Sequence, residues 1–198
     1  MNNQIVAHND LKIRIEEGFF TTAESNTLLE SFISKLPWES MIIKMFGRDT
    51  KIPRLQCWIG DEGCEYRYSG KQLNRQIWNQ DLTMIRKKIF KELKIDFNSV
   101  LANYYRDGKD SMGWHSDDEK ELGPNPTIAS ISFGSERDLV FRNKISKKTL
   151  TIPQTNGCLI LIDGETQKNW QHSIKKTQKI IGPRINLTFR NIIHKNNF

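Results

Sequence analysis

Apolar residues recur at helical spacing in two segments of the chain. In the first, leucine, isoleucine and phenylalanine fall at residues 28, 29, 32, 33 and 36, after Thr21 and Glu24, which are spaced for a capping box. This predicts an amphipathic helix that ends before Pro37, because proline cannot continue a helix. The second segment, residues 79–94, has an apolar stripe with basic residues off it. We expect both helices to pack against a sheet.

From residue 99 onward the apolar pattern changes to short strand-like runs. The predicted strands are 99–105, 127–133, 138–142, 149–152, 157–162, 170–174 and 184–191. Many short strands separated by turn residues are typical of a β-sandwich or barrel, here with two helices outside. The fold class is therefore mainly β with flanking helices (α+β). No internal repeat or linker is evident, so we expect a single domain over residues 1–198.

The N-terminal third is predicted to contain a polar tail, a strand or extended segment over residues 11–20, and strands at 41–46 and 55–59. Its turns carry basic and aromatic residues: Phe46, Arg48, Lys51, Arg54, Tyr66, Arg67 and Tyr68. Such a mixture can bind nucleic acid through phosphate contacts and base stacking. A half-buried sheet face would use aromatic residues as well, so both interpretations stay open.

Charge is distributed unevenly along the chain. Residues 1–141 carry 19 basic and 21 acidic side chains, whereas residues 142–198 carry 11 and 2, and the whole chain has a net charge of +7. A basic region of this kind suits a polyanion such as nucleic acid. A lysine-rich solvated surface would have the same composition.

Composition also limits the class of protein. No apolar run approaches the roughly 18 residues of a membrane span, and the polar start Met-Asn-Asn-Gln does not have the form of a signal peptide. We therefore expect no membrane partner and a cytoplasmic location, or a nuclear one in a eukaryotic cell. The 3 cysteines are an odd number without paired spacing, which favours reduced thiols.

A His-x-Asp pair, His115 and Asp117, follows the predicted strand at 99–105. In an extended segment, side chains two residues apart point to the same side, so both can bind one metal ion. A second histidine would complete a two-histidine, one-carboxylate iron site. His172 is the natural candidate, since the other two of the 4 histidines lie near the termini. Alone, a His-x-Asp pair is more often a solvated loop.

The last predicted strand alternates apolar residues with Arg184, Asn186, Thr188 and Arg190. Arginine stays charged and binds carboxylates with two parallel hydrogen bonds. Two arginines on one strand face could therefore hold both ends of a dicarboxylate. The alternative is the solvent-facing polar side of an edge strand.

Several motifs occur in a fixed order between residues 53 and 191. They are Asn103-x-Tyr105 followed by Asp-Gly, Trp-His-Ser-Asp-Asp-Glu119, Ile-Ala-Ser-Ile-Ser-Phe-Gly134, Asp-Leu-Val-Phe-Arg142, Trp-Gln-His172 and Arg184-Ile-Asn-Leu-Thr-Phe-Arg190. With this set the chain resembles the AlkB family of iron(II)- and 2-oxoglutarate-dependent nucleic-acid dealkylases. The resemblance implies a double-stranded β-helix (jelly-roll) core over about residues 99–192, with nucleotide-recognition hairpins over about residues 40–75.

The resemblance also implies the cofactor Fe(II) and the cosubstrates 2-oxoglutarate and O2. The residues that match the family's iron ligands are His115, Asp117 and His172. Those that match its 2-oxoglutarate site are Asn103, Tyr105, Arg184, Asn186, Thr188 and Arg190. Arg184, the first arginine, is further expected to reach toward the carboxylate at the metal. The implied reaction oxidises 2-oxoglutarate to succinate and CO2, hydroxylates the alkyl carbon of a base such as 1-methyladenine or 3-methylcytosine, and releases formaldehyde.

Substrate recognition is assigned by the same resemblance to the N-terminal hairpins and to residues beside the iron ligands. Phe46, in Met-Phe-Gly, would be the finger that fills the gap left by a flipped base, unless it is a core aromatic. Tyr68 would stack on that base, and Glu119 would lie near its exocyclic amine, where a carboxylate selects for a cationic base. The other residues expected to contact the substrate are Arg54, Tyr66 and Asp118.

The leading hypothesis is therefore direct reversal of N-alkylation in DNA by a monomeric enzyme. Within the same class, RNA or strictly single-stranded substrates are the alternative. A protein or small-molecule hydroxylase would keep the iron site but would not need the basic region. A nucleic-acid-binding module with a vestigial iron site is disfavoured because every expected ligand is present.

Overall fold

The computed structural model describes residues 2–8, 10–45, 47–68 and 70–193. Within them the strands are β1 Asn2–His8, β2 Leu11–Glu17, β3 Ile42–Met45, β4 Arg48–Lys51, β5 Leu55–Gly60, β6 Arg67–Tyr68, β7 Lys71–Gln72, β8 Arg75–Gln76, β9 Ser99–Tyr105, β10 Met112–His115, β11 Ile128–Gly134, β12 Arg137–Asn143, β13 Thr149–Gln154, β14 Leu159–Ile162, β15 Trp170–Ile174 and β16 Arg184–Arg190. The α-helices are α1 Thr22–Lys35, α2 Gln80–Leu93 and α3 Gly164–Asn169, and a 3₁₀ turn spans Lys120–Leu122.

Two facing sheets organise strands β9 to β16. The larger sheet has 8 strands in the order β1-β2-β14-β11-β16-β9-β5-β8, and the smaller has 4 in the order β10-β15-β12-β13. Among the described strands, pairing is antiparallel except between β5 and β8. Passage of the chain from one sheet to the other between these strands is the topology of a jelly roll, so the expected fold class is confirmed. Strands β2 and β5 extend the larger sheet beyond the expected core range of 99–192.

Helices α1 and α2 pack on the outer face of the larger sheet, where their apolar stripes share one core with the outward residues of the central strands. Helix α1 begins with the predicted capping box, in which the Thr21 side chain accepts from the main chain of Glu24 and Glu24 reaches back to Thr21. It ends at Lys35, before Pro37. Helix α2 begins at the Asn79 cap. The sequence-based prediction of both helices is confirmed to within one or two residues.

Strand β16 lies in the middle of the larger sheet, between β11 and β9. Its apolar residues Ile185, Leu187 and Phe189 belong to the core shared with the helices. Its alternating polar residues point to the other side, into the space between the sheets, and every residue of the strand is buried. The alternative of a solvent-facing edge strand is therefore wrong.

Other segments differ from the prediction. The expected N-terminal tail forms β1, which pairs along its whole length with β2. Main-chain hydrogen bonds to β2 hold this strand in place, since Ile5 is exposed. The sequence did not predict the strand because it has little alternation of apolar and polar residues. Helix α3 was not predicted, since its sequence Gly-Glu-Thr-Gln-Lys-Asn has no apolar periodicity.

The region between residues 40 and 75 contains two small antiparallel hairpins, β3 with β4 and β6 with β7. Phe46, the predicted finger residue, lies between β3 and β4 but outside the described residues, so its assignment stays a prediction. Among the described residues, no helix combines the length and apolar character needed to cross a membrane.

Candidate active site

Two strands of the smaller sheet, β10 and β15, carry the histidines of the expected iron site. His115 and His172 are cross-strand partners, and their ring centroids lie 4.2 Å apart. Each histidine Nε2 lies 3.9 Å from a carboxylate oxygen of Asp117. The three potential ligand atoms lie within 4.8 Å of one another. The prediction that these side chains meet is confirmed, and they form a facial set able to bind one metal ion.

Burial and local charge give the triad protonation states that suit a metal. Burial, together with the neighbouring ring of His115, lowers the pKa of His172 to about 3, and burial also lowers the pKa of His115. Burial alone would raise the pKa of Asp117, but Arg190 and the two histidines lower it below its usual value. Metal binding requires neutral imidazoles and an ionised carboxylate. All three groups meet this requirement at neutral pH.

Hydrogen bonding orients the first histidine. Nδ1 of His115 donates to the carbonyl of Gly113 at 2.9 Å, which leaves Nε2 as the unprotonated nitrogen on the side of Asp117. His172 is held differently: its Nδ1 is buried, and no described residue accepts a hydrogen bond from it.

A hydrogen-bonded chain connects the triad to an acidic residue. Arg190 donates to Asp117 at 2.6 Å and to the hydroxyl of Tyr66 at 2.7 Å. The Tyr66 hydroxyl in turn donates to Oε1 of Glu119 at 2.9 Å. Burial raises the pKa of Glu119, and its second oxygen, Oε2, is buried without a partner among the described residues. Glu119 therefore offers an unused acceptor close to the metal ligands.

A narrow cavity of about 30 Å³ lies beside the triad, between the two sheets. Its polar lining, apart from the triad, consists of Tyr105, Ser130, Gln154, Ser173, Asn186, Thr188 and Arg190. Strand register accounts for the members of this set that lie on the larger sheet, because β16 lies between β9 and β11. Arg184 is paired with Tyr105, Asn186 with Asn103 and Ser132, and Thr188 with Ser130. Polar residues from three strands thus share one face.

Arg184 lies at the opposite end of β16 from Arg190. It is 1% exposed, its guanidinium lies 5.0 Å from the ring centroid of Tyr105, and Nη2 donates to Ser132 at 2.9 Å and to Gln154 at 2.5 Å. Nε and Nη1 are buried without an acceptor among the described residues. Burial lowers the pKa of Arg184 to about 10. A buried cation with unused donors fits a carboxylate ligand.

All residues of this site lie in a segment of the chain that matches a known protein family. A model of the 2OG-Fe(II) oxygenase superfamily matches residues 12–190. The chain belongs to the 2OG-Fe(II) oxygenase superfamily. Membership confirms the expected cofactor set of Fe(II), 2-oxoglutarate and O2, and with it the expectation of an Fe(II)- and 2-oxoglutarate-dependent oxygenase.

Curated relatives of this oxygenase include DNA oxidative demethylase ALKBH2 of Homo sapiens, which is 39% identical over 159 residues, 76% of this chain and 61% of that protein. The alpha-ketoglutarate-dependent dioxygenase alkB homolog 3 of Mus musculus is 34% identical over 190 residues, 91% of this chain and 66% of that protein. The chain thus spans about two thirds or less of the length of these relatives. The resemblance to the AlkB family is confirmed.

Solved structures share the fold at low sequence identity. The structure of OsALKBH1 aligns with a TM-score of 0.64 and 14% identity, covering 90% of this chain and 97% of that one. An oxidoreductase of the 2OG-Fe(II) oxygenase family from Burkholderia pseudomallei aligns with a TM-score of 0.59 and 11% identity, covering 92% and 88% of the two chains.

One expectation for this oxygenase is reversed by the geometry. Arg184 was expected to reach toward the metal, but Arg190 is the arginine that contacts the triad, through Asp117. The described hydrogen bonds of Arg184 go to Ser132 and Gln154 instead. The reason is the direction of β16: its last residue, Arg190, lies beside Asp117, and its first residue, Arg184, lies beside Gln154 at the other end of the strand.

The residues expected to contact the substrate lie in different surroundings. Tyr66 is 0% exposed and packs against Trp58, so its ring offers no stacking surface. Arg54 is buried and donates to Asn103 and to the carbonyl of Ser111. Asp118 is exposed and lies 3.5 Å from Nζ of Lys144. The backbone of Tyr68 pairs with Lys71 in the β6–β7 hairpin.

Several residues of the site carried no assigned role in the sequence. Ser130 and Ser132 lie within the quoted motif that ends at Gly134, and their alternation with apolar residues was a usable signal. Gln154, at the end of β13, offered none, because only the fold brings it to Arg184.

Proposed function

We propose that this oxygenase removes methyl groups from N-alkylated bases in DNA, using Fe(II), 2-oxoglutarate and O2. The observation that carries the proposal is the buried, unpartnered Oε2 of Glu119, which is linked through Tyr66 and Arg190 to the metal ligand Asp117. A carboxylate at this place attracts a cationic base such as 1-methyladenine or 3-methylcytosine. Relatives named DNA oxidative demethylase support the same substrate class.

In this proposal the triad holds Fe(II), which with 2-oxoglutarate and O2 supplies the oxidant that hydroxylates the methyl carbon. Arg190 keeps Asp117 ionised and oriented through its 2.6 Å hydrogen bond. Arg184 binds the carboxylate of 2-oxoglutarate that lies away from the metal, because its Nε and Nη1 have no acceptor among the described residues. Tyr105, Asn186 and Thr188 line the cavity between these two ends.

The cavity serves a second purpose in the proposal, which is to exclude water from the reacting carbon. Apolar side chains of Met112, Ile128, Leu139 and Ile174 line it together with the polar set. Hydroxylation of the N-methyl group gives a hemiaminal, whose C–N bond breaks to leave formaldehyde and the unmodified base. One methyl group, one 2-oxoglutarate and one O2 then yield formaldehyde, succinate and CO2.

Recognition of DNA is assigned to the hairpins over residues 40–75 and to the basic region. Tyr68 and Phe46 are proposed to contact the flipped base and the gap it leaves. The 11 basic side chains of residues 142–198, against 2 acidic ones, favour phosphate contacts. We further propose that residues 1–198 form one catalytic domain with a jelly-roll core at about 99–192. It would act as a monomer in the cytoplasm, or in the nucleus of a eukaryotic cell, without a membrane partner.

Oligonucleotides that contain a single 1-methyladenine or 3-methylcytosine test the proposal directly. With Fe(II), 2-oxoglutarate and air, we expect equal amounts of formaldehyde and unmodified base, and neither product from Asp117→Ala. If succinate forms but neither methylated base is repaired in any of these oligonucleotides, the proposal that DNA is the substrate is wrong. The assignment of the protein as a 2-oxoglutarate-dependent oxygenase would still stand. Rates on duplex DNA, single strands and RNA identify the preferred strand, and Phe46→Ala should reduce the duplex rate most.

A further inference from the structure

The short helix α3 leads directly into β15, the strand that carries His172. Gln167 on this helix is 1% exposed. Its side-chain oxygen accepts a hydrogen bond from the main-chain N–H of Asp117 at 2.9 Å. Gln167, which precedes the strand of His172, thus holds the main chain of Asp117 in place.

Two neighbouring contacts join the same segments. The hydroxyl of Ser116 donates to the carbonyl of Trp170 at 3.0 Å. Nζ of Lys144 donates to the carbonyl of Gln167 at 2.9 Å and lies 3.5 Å from Asp118. Residues 116, 117 and 118 are therefore each connected to the residues that precede His172, two of them directly and one through Lys144.

The contact of Gln167 is specific rather than general packing of the helix. Its neighbour Thr166 is equally buried, at 1% exposure. Among the described residues, the hydrogen bonds of the Thr166 side chain join it to the main chain of Lys12 in β2 and not to residues 116–118. The side-chain nitrogen of Gln167 is buried without a partner among the described residues. The amide oxygen of Gln167 is therefore the atom that forms a hydrogen bond, and its donor is the main-chain N–H of Asp117.

We propose that Gln167 is a positioning residue that fixes Asp117 relative to His172 and so shapes the metal site before the metal binds. Without the acceptor, the buried N–H of Asp117 loses its partner and the loop can shift, which moves the carboxylate away from the two imidazoles. Outer hydrogen-bond partners of metal ligands typically affect metal affinity by about 10- to 100-fold. The inference rests on the metal centre of the proposed function but not on its substrate.

Metal titration of four variants tests this inference. Gln167→Met keeps the length of the side chain but removes the acceptor, Gln167→Asn withdraws it by one methylene, and Gln167→Glu restores an oxygen at the original reach. Thr166→Val is the matched control for disturbing α3. Binding of Mn²⁺ alone is measured by calorimetry, the visible absorption of bound Co²⁺ reports coordination geometry, and thermal melting reports stability.

We expect Gln167→Met and Gln167→Asn to weaken Mn²⁺ binding by about tenfold or more and to alter the Co²⁺ spectrum. Gln167→Glu should bind at least as tightly as the wild type, and Thr166→Val should lose stability with unchanged Mn²⁺ affinity. Wild-type affinity in Gln167→Asn, or an equal loss in Thr166→Val, would overturn the role of Gln167. Absence of Mn²⁺ binding in the wild type would instead overturn the metal centre itself.

Discussion

Replacing Arg184 by methionine distinguishes two effects of its buried charge: the loss of protein stability that the charge causes and its contribution to 2-oxoglutarate binding. In the ligand-free protein the guanidinium is 1% exposed, and two of its nitrogens have no acceptor among the described residues. Its pKa is lowered to about 10 by burial. A base with a lowered pKa destabilises the native state at neutral pH, since the proton is held more weakly there than in the unfolded chain.

The expected sizes follow from the contacts. Methionine relieves the buried charge but leaves the Gln154 oxygen without its Arg184 donor, so the two effects offset and stability should change by less than about 2 kcal/mol. Hydrogen bonds to charged groups contribute about 1.5–3 kcal/mol each. Two new ones from Nε and Nη1 to 2-oxoglutarate correspond to about 3–6 kcal/mol, so Kd should rise by about 10²- to 10⁴-fold in Arg184→Met.

Calorimetric titration of the Mn²⁺-loaded protein with 2-oxoglutarate measures this change, and denaturant unfolding of the ligand-free protein measures stability. Arg137→Met is the matched control. Arg137 is also buried and lies over the ring of Tyr105, but it donates to the main-chain carbonyls of Asp107, Asp110 and Lys175. Its loss should cost about 2–4 kcal/mol of stability and leave 2-oxoglutarate affinity within about threefold.

The opposite pattern would refute the reasoning. If Arg184→Met unfolds as easily as Arg137→Met and still binds 2-oxoglutarate with wild-type affinity, the unused donors of Arg184 have a structural role and the cosubstrate lies elsewhere.

Three further outcomes are expected. Tyr66→Phe, which removes the hydroxyl donor to Glu119, should slow repair of cationic bases about tenfold while 2-oxoglutarate affinity is retained; equal repair rates would contradict the network. Arg106 lowers the pKa of Asp110 despite burial, so Asp110→Asn should lower the melting temperature at pH 7; the difference should begin to shrink as the pH falls below about 4 and disappear only below the lowered pKa of Asp110. Burial raises the pKa of Cys57 to about 12, so alkylation at pH 8 should label the three buried cysteines only after unfolding, as read by mass spectrometry.

Much of the fold could be predicted because its apolar patterns are strong. The alternation in β16 and the stripe of α2 each bury a face that is visible in the sequence. The His-x-Asp spacing was equally informative: β10 ends at His115, and Asp117, two residues further along, brings its carboxylate to the same place. Local pattern and tertiary environment agree at these places.

Elsewhere the deciding interactions are between residues far apart in the chain. Strand β1 is ordered by its pairing with β2, and the role of Gln167 depends on a contact with Asp117 across 50 residues. The burial of Tyr66 depends on Trp58 and on the pair formed with Arg190. No local periodicity encodes such contacts, which is why the sequence suggested an exposed aromatic platform there.

The position of β16 means that the larger sheet can be completed only late in synthesis of the chain. It is the last of the described strands along the chain, yet it lies between β11 and β9, which are made earlier. Until it is inserted, the two halves of the larger sheet have no common neighbour and Asp117 lacks the arginine that keeps it ionised. A nascent chain that has not reached residue 190 therefore has the three proposed iron ligands without the arginine that contacts Asp117. We therefore expect the protein to be able to bind iron and oxidise its substrate only after this strand has been synthesised and inserted into the sheet.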